Sequence, residues 1–472
     1  MQRWLLALTL AGALAFFGGW YSWTTVPLFF ATVIVALSRR QRTFSFPRDL
    51  RLLDSALLVT AIAIAIQLVP LPQAVASALS PNAARLRGTL RLDAITLSDG
   101  WIPLSVDPRA TLEALLIFLA TGLVFWSARA AFATGGLRRF CRIVALLGLA
   151  FSIEAIIQRA TTPTLIYGFW PPYTPGAQPF GPFFNRNHFA AWLMMAIPLI
   201  AGYLAARVRT RTADIRERRR ILHVFAVAGM PLLIVLGVML MALAAALSRS
   251  AIVGLAAGAI AAKLLSRNRV EKQSGTTAPL VALGVLGALF LLTAIDVEQW
   301  FQRINSTLSQ SNTSRMTIWL ETLPLIGDFW LTGPGAGTYS MAMLIYQQSV
   351  IPLPHLRNFA HFNQAHSHYF QLLAEGGLLL TVPIVVAAVG FVRAARAALR
   401  RDRGEAMWIR VGATAALVAI ATQSIWETAL RMPANAFLCA TLAGIVLHRR
   451  DSPAVAARDE LRTQNSERRT ET

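Results

Sequence analysis

Long apolar runs separated by short polar connections dominate this chain. Most of the runs approach the roughly 20 residues that a helix needs to cross the hydrocarbon core of a bilayer. The pattern predicts about twelve membrane-spanning helices, at about 4–20, 24–38, 52–70, 110–128, 141–158, 188–206, 222–246, 250–265, 278–295, 370–392, 408–427 and 432–448. The first two runs are short and could instead form one re-entrant hairpin. The predicted fold class is an all-α, polytopic helical bundle.

The composition agrees with this prediction. Of the 472 residues, 55% are hydrophobic and only 14% are charged, whereas about 25% of the residues of a soluble domain are charged. Cys141 and Cys439 both lie in predicted spans, so a disulfide framework is not indicated. The pattern predicts one membrane domain over 1–448 and a disordered, charged tail over 449–472.

Arginine and lysine are concentrated in alternate connections. Short loops rich in these residues stay in the cytoplasm. The segments rich in arginine and lysine are 39–42, 129–139, 207–220, 267–272, 393–410 and 449–450. All of them fall on one side of the twelve-span arrangement, which predicts that both termini are cytoplasmic in a bacterial inner membrane. The net charge of +21 is dispersed over these loops, and this favours contact with anionic lipid head groups over binding to nucleic acid.

The other side of the membrane then holds three longer intervals, at about 71–109, 159–187 and 296–369. In a bacterial inner membrane this side is the periplasm. Ionisable residues at membrane boundaries are costly to place, and they are functional candidates for that reason. We therefore expect the chemistry of the protein on this face, above all in the long periplasmic loop 296–369.

Histidine is concentrated at the end of that loop. Four of the seven histidines of the chain lie within fourteen residues, namely His355, His361, His366 and His368. An imidazole exchanges protons near neutral pH, so His366 could act as a general base toward a hydroxyl group; the alternative is a purely structural role. A zinc site is not predicted, because no His-Glu-x-x-His pattern occurs and the spacing of His366 and His368 suits opposite sides of an extended strand.

Two arginines are candidates for binding an anion on the same face. Arg249 lies between two apolar runs with almost no loop around it, so it needs an anionic partner unless its side chain reaches lipid phosphates. Arg315 precedes the apolar positions of 318–326, which predict a short amphipathic helix lying on the membrane with Ser314 as its cap. The alternative for Arg315 is an ordinary surface charge.

Four polar residues open the sixth predicted span on the outer side: Asn185, Arg186, Asn187 and His188. The N-terminal end of a helix presents free N–H groups and a positive dipole, which together favour an anion. These residues could therefore bind substrate. They could equally cap the helix and anchor it at the membrane interface.

Taken together, these residues suit one kind of chemistry. Two fixed guanidinium groups can clamp a pyrophosphate through paired hydrogen bonds, and one imidazole can activate an acceptor hydroxyl. The arrangement predicts group transfer from a membrane-bound pyrophosphate donor. It needs no nucleotide or other cofactor, and it needs no metal if arginine stabilises the charge that develops on the leaving group.

One motif of the chain resembles a known family. His366-Ser367, then nine residues, then Gly377 is similar to the pattern of the O-antigen ligase/polymerase family, the Wzy/WaaL-like polytopic membrane glycosyltransferases. These relatives often carry a second glycine three residues later, where this chain has Leu380. The stretch 181–190 also looks typical of relatives, and the resemblance extends over about 110–445.

The resemblance implies a GT-C-like helical membrane fold, an undecaprenyl-pyrophosphate-linked glycan as donor, and a metal-independent, inverting transfer. It also implies roles for particular residues. Arg249 and Arg315 match the two functional arginines of the family and would hold the donor pyrophosphate. His366 would deprotonate or orient the acceptor hydroxyl, whereas His368 occupies a position that is often Asp in relatives.

Further expectations concern the surroundings of this site. His368 and Glu375 are also candidates for binding substrate. Glu375 could orient the His366 imidazole or could simply bond a neighbouring helix. The loop 296–369 would cover a cavity that is open to the periplasm and to lipid.

The sequence leaves several activities open. Within the family, a ligase transfers a finished glycan to a glycolipid. A polymerase joins lipid-linked repeat units, and a chain-length copolymerase is a candidate partner. An oligosaccharyltransferase glycosylates protein Ser/Thr. A lipid-linked sugar transporter or flippase is the alternative from another class. The chain shows no inverted halves and few charges within spans, Glu154 and Glu427 being the exceptions, and this favours a transferase.

Overall fold

The computed structural model describes residues 1–38, 50–90, 92, 100–173, 177–212, 218–270, 315–350, 352–353, 358–359, 361–402 and 406–449. The ninth predicted span, 278–295, lies outside these residues, as do most of the predicted tail, the first part of the long loop and His355.

The described residues form fifteen α-helices. In chain order they are α1 (Gln2–Ala15), α2 (Ser22–Leu37), α3 (Arg51–Ile66), α4 (Gln73–Leu79), α5 (Pro81–Leu90), α6 (Pro108–Ala133), α7 (Leu137–Thr161), α8 (Arg186–Thr212), α9 (Arg218–Ala245), α10 (Arg249–Val270), α11 (315–328), α12 (Tyr339–Tyr346), α13 (His368–Arg401), α14 (Ala406–Gln423) and α15 (Pro433–Leu447). Single turns of 3-10 helix occur at Phe17–Gly19 and Ala429–Arg431. Two antiparallel pairs of short strands accompany them, β1 (Pro70–Pro72) with β2 (Trp101–Pro103) and β3 (Pro352–Leu353) with β4 (Asn358–Phe359).

The structure confirms the all-α class, and each predicted span within the described residues coincides with a helix. In the part of the chain that the structure describes, six helices are long and apolar enough to cross a membrane, namely Pro108–Ala133, Leu137–Thr161, Arg186–Val208, Arg249–Arg267, His368–Arg401 and Ala406–Gln423. Three apolar helices are shorter, Ser22–Leu37, Gly229–Ala245 and Pro433–Leu447. The count of twelve spans and the orientation of the bundle stay predictions.

Helices α8 and α14 form the centre of the bundle because small residues let their backbones meet. A Cβ added at Gly412 would lie 2.3 Å from the carbonyl oxygen of Pro198, and one added at Gly202 would lie 2.4 Å from that of Trp408. Glycine at such crossings permits the close helix packing typical of membrane proteins. Helix α10 packs on α14 in the same way, since Gly258 faces the carbonyl of Ala415.

Helix α13 lies at the outside of the bundle. Its large apolar side chains recur along one exposed stripe, comprising Leu378, Val382, Val385, Val389 and Val392. An exposed apolar stripe of this length suits contact with lipid hydrocarbon. The remaining face of α13 packs against α3, where Gly390 meets the backbone of Leu53.

Five helix ends meet at one end of the bundle, and this convergence builds the site. Helices α8, α10, α13 and α15 begin there, and α14 ends there. The Ser250 hydroxyl accepts a hydrogen bond from Gln423 Nε2 (3.4 Å), which joins the start of α10 to the end of α14. The His368 N–H donates to the Ser424 carbonyl (2.9 Å), which joins α13 to the same point.

A buried ion pair lies far from that end. Arg129 donates to both oxygens of Asp54 (2.9 and 3.1 Å), and Trp126 Nε1 donates to the same carboxylate (2.8 Å). Asp54 adjoins Leu53, which meets Gly390 of α13. Gly390 lies 12 residues beyond Leu378 in α13, or roughly 18 Å along the helix.

Asp54→Asn is expected to destabilise the fold, because it leaves the Arg129 guanidinium buried without a counter-charge. Breaking a buried pair costs about 3 kcal/mol or more. Denaturant unfolding in detergent measures the change. Glu113→Gln, which removes a pair whose Arg109 side chain is 86% exposed, serves as the control and should cost less than about 1 kcal/mol. Equal effects of the two variants would contradict the prediction.

Candidate active site

The backbone around His366 is held in an unusual conformation. His366 has a φ of +48°, in the left-handed region that few residues other than glycine adopt. The preceding residue is fixed on both sides, since the Ala365 N–H donates to Gln371 Oε1 (3.1 Å) and its carbonyl accepts from Trp319 Nε1 (2.9 Å). A strained residue that its neighbours hold in place is a recurrent feature of active sites.

Helix α11 brings Arg315 to His366. Trp319 follows Arg315 by four residues, so the two side chains share one face of α11. Trp319 bonds the Ala365 carbonyl next to His366 and stacks on Phe370, with ring centroids 5.2 Å apart and planes 6° apart. Arg315 and His366, which 50 residues separate in the sequence, therefore lie in one site.

The environment of His366 keeps its imidazole neutral. Burial and, to a smaller extent, the positive charge of Arg315 together lower the pKa of His366 to about 4. The Nδ1 atom is buried and has no hydrogen-bond partner among the described residues. A neutral imidazole with an unoccupied nitrogen can accept a proton at pH 7.

Glu427 completes this group, although the sequence argument treated it only as an isolated charge near the end of a span. Its Oε1 accepts from Arg315 Nη2 (2.8 Å) and from Asn187 Nδ2 (2.8 Å). Burial raises the pKa of Glu427 to about 7, and Arg315, Arg186 and the Asn187 hydrogen bond act in the opposite direction. The carboxylate thus links α11 to the start of α8.

The four polar residues at the start of α8 have different surroundings. Asn185 Oδ1 accepts from the Asn187 N–H (2.9 Å) and caps the helix, while Asn187 and Arg186 interact with Glu427. His188 is fully buried against the ring edges of Phe183 and Phe184.

Both ring nitrogens of His188 lack a hydrogen-bond partner within the described part of the chain. The structure therefore brings Asn187 and Arg186 to the site that contains Arg315. Binding of substrate by any of the four residues stays a prediction.

His368 connects the site to the turn after α14. Its Nε2 accepts from the Leu430 N–H (2.9 Å), and its own N–H donates to Ser424. One ring nitrogen is thus engaged within the protein. This contact gives His368 a structural role, and its predicted contact with substrate is untested.

Glu375 accepts hydrogen bonds from a turn and from its own helix, and its role toward His366 or substrate stays a prediction. Its Oε2 accepts from the Gly337 N–H (2.8 Å) and its Oε1 from Gln371 Nε2 (2.7 Å). Because Gln371 also accepts from Ala365, a chain of hydrogen bonds runs from the turn 333–337 to the residue before His366. Glu375 therefore supports the loop that carries His366.

Gly377 explains the spacing of the motif in physical terms. Helix α13 is interrupted there, with φ +50° and ψ −150°, a conformation available essentially to glycine alone. The interruption turns the next N–H groups outward, so that Leu378 donates to Trp330 (2.8 Å) and Leu379 to Leu331 (2.9 Å). Residues 368–376 therefore form a short, separately oriented segment behind His366.

Arg249 lies at the same end of the bundle. It is the first residue of α10, and only three residues separate it from α9, as the sequence predicted. The adjacent Ser250 contacts Gln423, four residues before Glu427. The hypothesis that Arg249 shares one site with His366 fits this position and stays a prediction.

Sequence reasoning missed Arg431. Its turn, Ala429–Arg431, lies against two of the histidines, since Asn435 Nδ2 donates to both the His188 and the Ala429 carbonyls (3.0 Å each). Arg431 acts electrostatically on His188 and His368. It forms no ion pair with any described residue. The available signal was an arginine between two apolar runs, four residues after Glu427.

No group of three metal-ligating side chains occurs within the described ranges. His361, which belonged to the predicted cluster, contacts Ser340 through its Nε2 (3.1 Å).

Comparison with known proteins gives one match. Residues 234–385 match the sequence profile of a family described as O-antigen ligase, and this segment contains Arg249, Arg315, His366 and Gly377. No curated protein matches the chain. The matched segment contains the motif of His366 and Gly377, and it supports assignment of the chain to the O-antigen ligase/polymerase family.

Proposed function

We propose that this protein transfers or polymerises an undecaprenyl-pyrophosphate-linked glycan on the periplasmic face of the bacterial inner membrane. The observation that carries the proposal is the juxtaposition of a neutral, strained His366 with Arg315. The segment matched to O-antigen ligases includes both residues, which supports ligase-type activity broadly.

Donor activation falls to the arginines. The Arg315 side chain is 23% exposed, so it is only partly enclosed when it binds Glu427. A guanidinium carries five N–H donors and binds phosphate oxygens in a bidentate manner. With Arg249 it would hold the donor pyrophosphate and stabilise the charge that develops as the glycan leaves.

Acceptor activation falls to His366. The acceptor hydroxyl oxygen forms a bond to the anomeric carbon while the bond from that carbon to the pyrophosphate oxygen breaks. The hydroxyl proton passes to the neutral imidazole, and undecaprenyl pyrophosphate departs with the bonding electrons. Attack from the face opposite the leaving group inverts the anomeric centre, and no step requires a metal.

Helix α11 supplies a surface for the lipid part of the donor. Met316, Leu320 and Leu323 are each at least half exposed, and their i, i+4, i+7 spacing makes one apolar stripe along the helix. The opposite face of α11 is buried through Ile318 and Leu325. A helix with an exposed apolar stripe suits the membrane interface, where a polyprenyl chain would approach.

The activity is tested by complementation. A deletion strain of the native host would receive the wild-type gene, and its glycans would be resolved on a gel. Single lipid-linked repeats in the deletion strain would indicate a polymerase, long lipid-linked chains a ligase, and unglycosylated protein an oligosaccharyltransferase. A flippase would instead leave the donor on the cytoplasmic side and would tolerate substitution of His366.

Arg315→Ala is expected to lower the glycan product about 100- to 1,000-fold, which is the usual effect of removing one donor to a developing charge. Arg315→Lys should lose most of the activity too, because lysine lacks the fork geometry. Arg249→Ala should act in the same direction. The measurement is product per unit of protein in the membrane.

Arg109→Ala is the control for these variants, since its side chain is 86% exposed, and it should retain wild-type output. If Arg249→Ala matched this control, Arg249 would not belong to the pyrophosphate clamp. If Arg315→Ala also matched it, the proposed mechanism would lose its donor site.

A further inference from the structure

Glu427 occupies a position where burial of its carboxylate has a large desolvation cost. The residue is buried at the end of the bundle, four residues after α14 ends at Gln423, and one of its oxygens accepts two hydrogen bonds of 2.8 Å. The donors, Asn187 and Arg315, lie 240 and 112 residues away in the sequence. The fold therefore brings two distant elements to a single carboxylate oxygen.

Stability alone explains this arrangement poorly. The attraction within a buried ion pair is often little larger than the cost of removing the two charges from water. Well-packed apolar residues can often replace such a pair without loss of stability. The Glu427 pair also differs in its surroundings from the pair of Asp54 and Arg129. Asp54 receives both guanidinium nitrogens and an indole N–H, whereas Glu427 engages Arg315 through a single Nη2 contact.

The contact with Glu427 is the one hydrogen bond of the Arg315 guanidinium among the described residues, and a guanidinium has further N–H donors that can bind another anion. Arg186 adds a second positive charge near Glu427. Arg315 has a flexible side chain, and a fixed partner reduces the freedom that it would lose on binding a ligand. Orientation of this kind matters, because misplacing a reacting group by about 1 Å can cost 100-fold in rate.

We propose that Glu427 is a positioning residue of the transfer reaction, which holds the Arg315 guanidinium and the Asn187 amide so that the free N–H groups of Arg315 point to the phosphate oxygens of the donor. This inference rests on the proposed function. It predicts that Glu427 acts through Arg315 and does not contact the glycan itself.

A double-mutant cycle tests this dependence. Glu427→Gln keeps the shape and an acceptor oxygen but removes the charge, and it is expected to lower glycan product per unit of protein about 10- to 100-fold. In an Arg315→Ala background, the same substitution should lower the product by less than about twofold, because coupled residues are not additive. Losses that multiply in the double variant would overturn the proposal.

Asp54→Asn is the matched control, since it also removes a buried carboxylate from an arginine, at a position roughly 18 Å along α13 beyond Leu378. It is expected to lower the unfolding temperature but to keep the product per folded molecule. If Asp54→Asn reduced that product as much as Glu427→Gln, general loss of stability would explain both, and the proposal would be wrong.

The outcomes also separate this inference from the proposed function. If Arg315→Ala abolishes transfer while Glu427→Gln matches the wild type, only the positioning role is overturned. If Arg315→Ala itself keeps full transfer, Arg315 does not bind the donor as the proposed function requires, and the positioning role of Glu427 is wrong as well. A cycle on unfolding free energy, measured in detergent, reports whether Arg315 and Glu427 are coupled in either case.

Discussion

His366→Asn is expected to abolish glycan transfer while the protein keeps its fold. Asparagine tolerates the left-handed conformation that His366 adopts (φ +48°), so the substitution removes the base with little added strain. Loss of a general base costs about 100- to 10,000-fold in rate. The measurement is a glycan gel of the complemented deletion strain, with variant and wild-type protein matched in the membrane fraction.

His368→Gln provides the comparison for this result. His368 accepts a hydrogen bond from the Leu430 N–H, and loss of that acceptor would cost about 1–3 kcal/mol of stability. Less of this variant should accumulate, yet each folded molecule should still transfer glycan. Transfer by His366→Asn at the wild-type level, or equal losses in the two variants per folded molecule, would remove His366 from the chemistry.

Gly377→Ala is expected to prevent correct folding of the site. An added Cβ would lie 2.6 Å from the Trp330 carbonyl oxygen and 2.8 Å from the Leu331 carbonyl carbon, both of which are backbone atoms with little room to move. The strained conformation adds its own cost, and together we expect about 3 kcal/mol or more. The amount of protein in the membrane and its unfolding temperature in detergent both report this loss.

Gly327→Ala is the matched glycine variant. Nothing lies within 4 Å of a Cβ added there, and its position within α11 favours alanine by up to about 1 kcal/mol. The variant should accumulate at least as well as the wild type. If Gly377→Ala were as stable as Gly327→Ala, the interruption of α13 would not require glycine, and our account of the motif spacing would be wrong.

Helix positions followed from hydrophobic pattern because burial in a bilayer depends on local composition. The run predicted at 141–158 became Leu137–Thr161, and the run at 370–392 became His368–Arg401. Both helices extend beyond their apolar cores, because a helix continues through polar flanks that are outside the hydrocarbon. Sequence reasoning therefore located these two helices and underestimated their lengths.

The candidate site was predicted in part. The sequence singled out Arg315 and His366, and the structure brings them together through Trp319. The sequence left two roles open for Glu375, and only the tertiary structure gives its hydrogen bonds to Gly337 and Gln371. The partnership of Glu427 with Arg315 was not predicted, since the two residues are 112 positions apart and no local pattern connects them.

The sequence by itself determined the class of the protein, the positions of most helices and the residue types available at one end of the bundle. These properties depend on the composition of short segments, and each segment can be evaluated separately. Only the tertiary structure decided which of these polar groups contact one another, because each contact joins helix ends that are distant in sequence. Burial keeps His366 neutral and pairs Glu427 with Arg315, and hydrogen bonds within the protein engage His368 and Glu375.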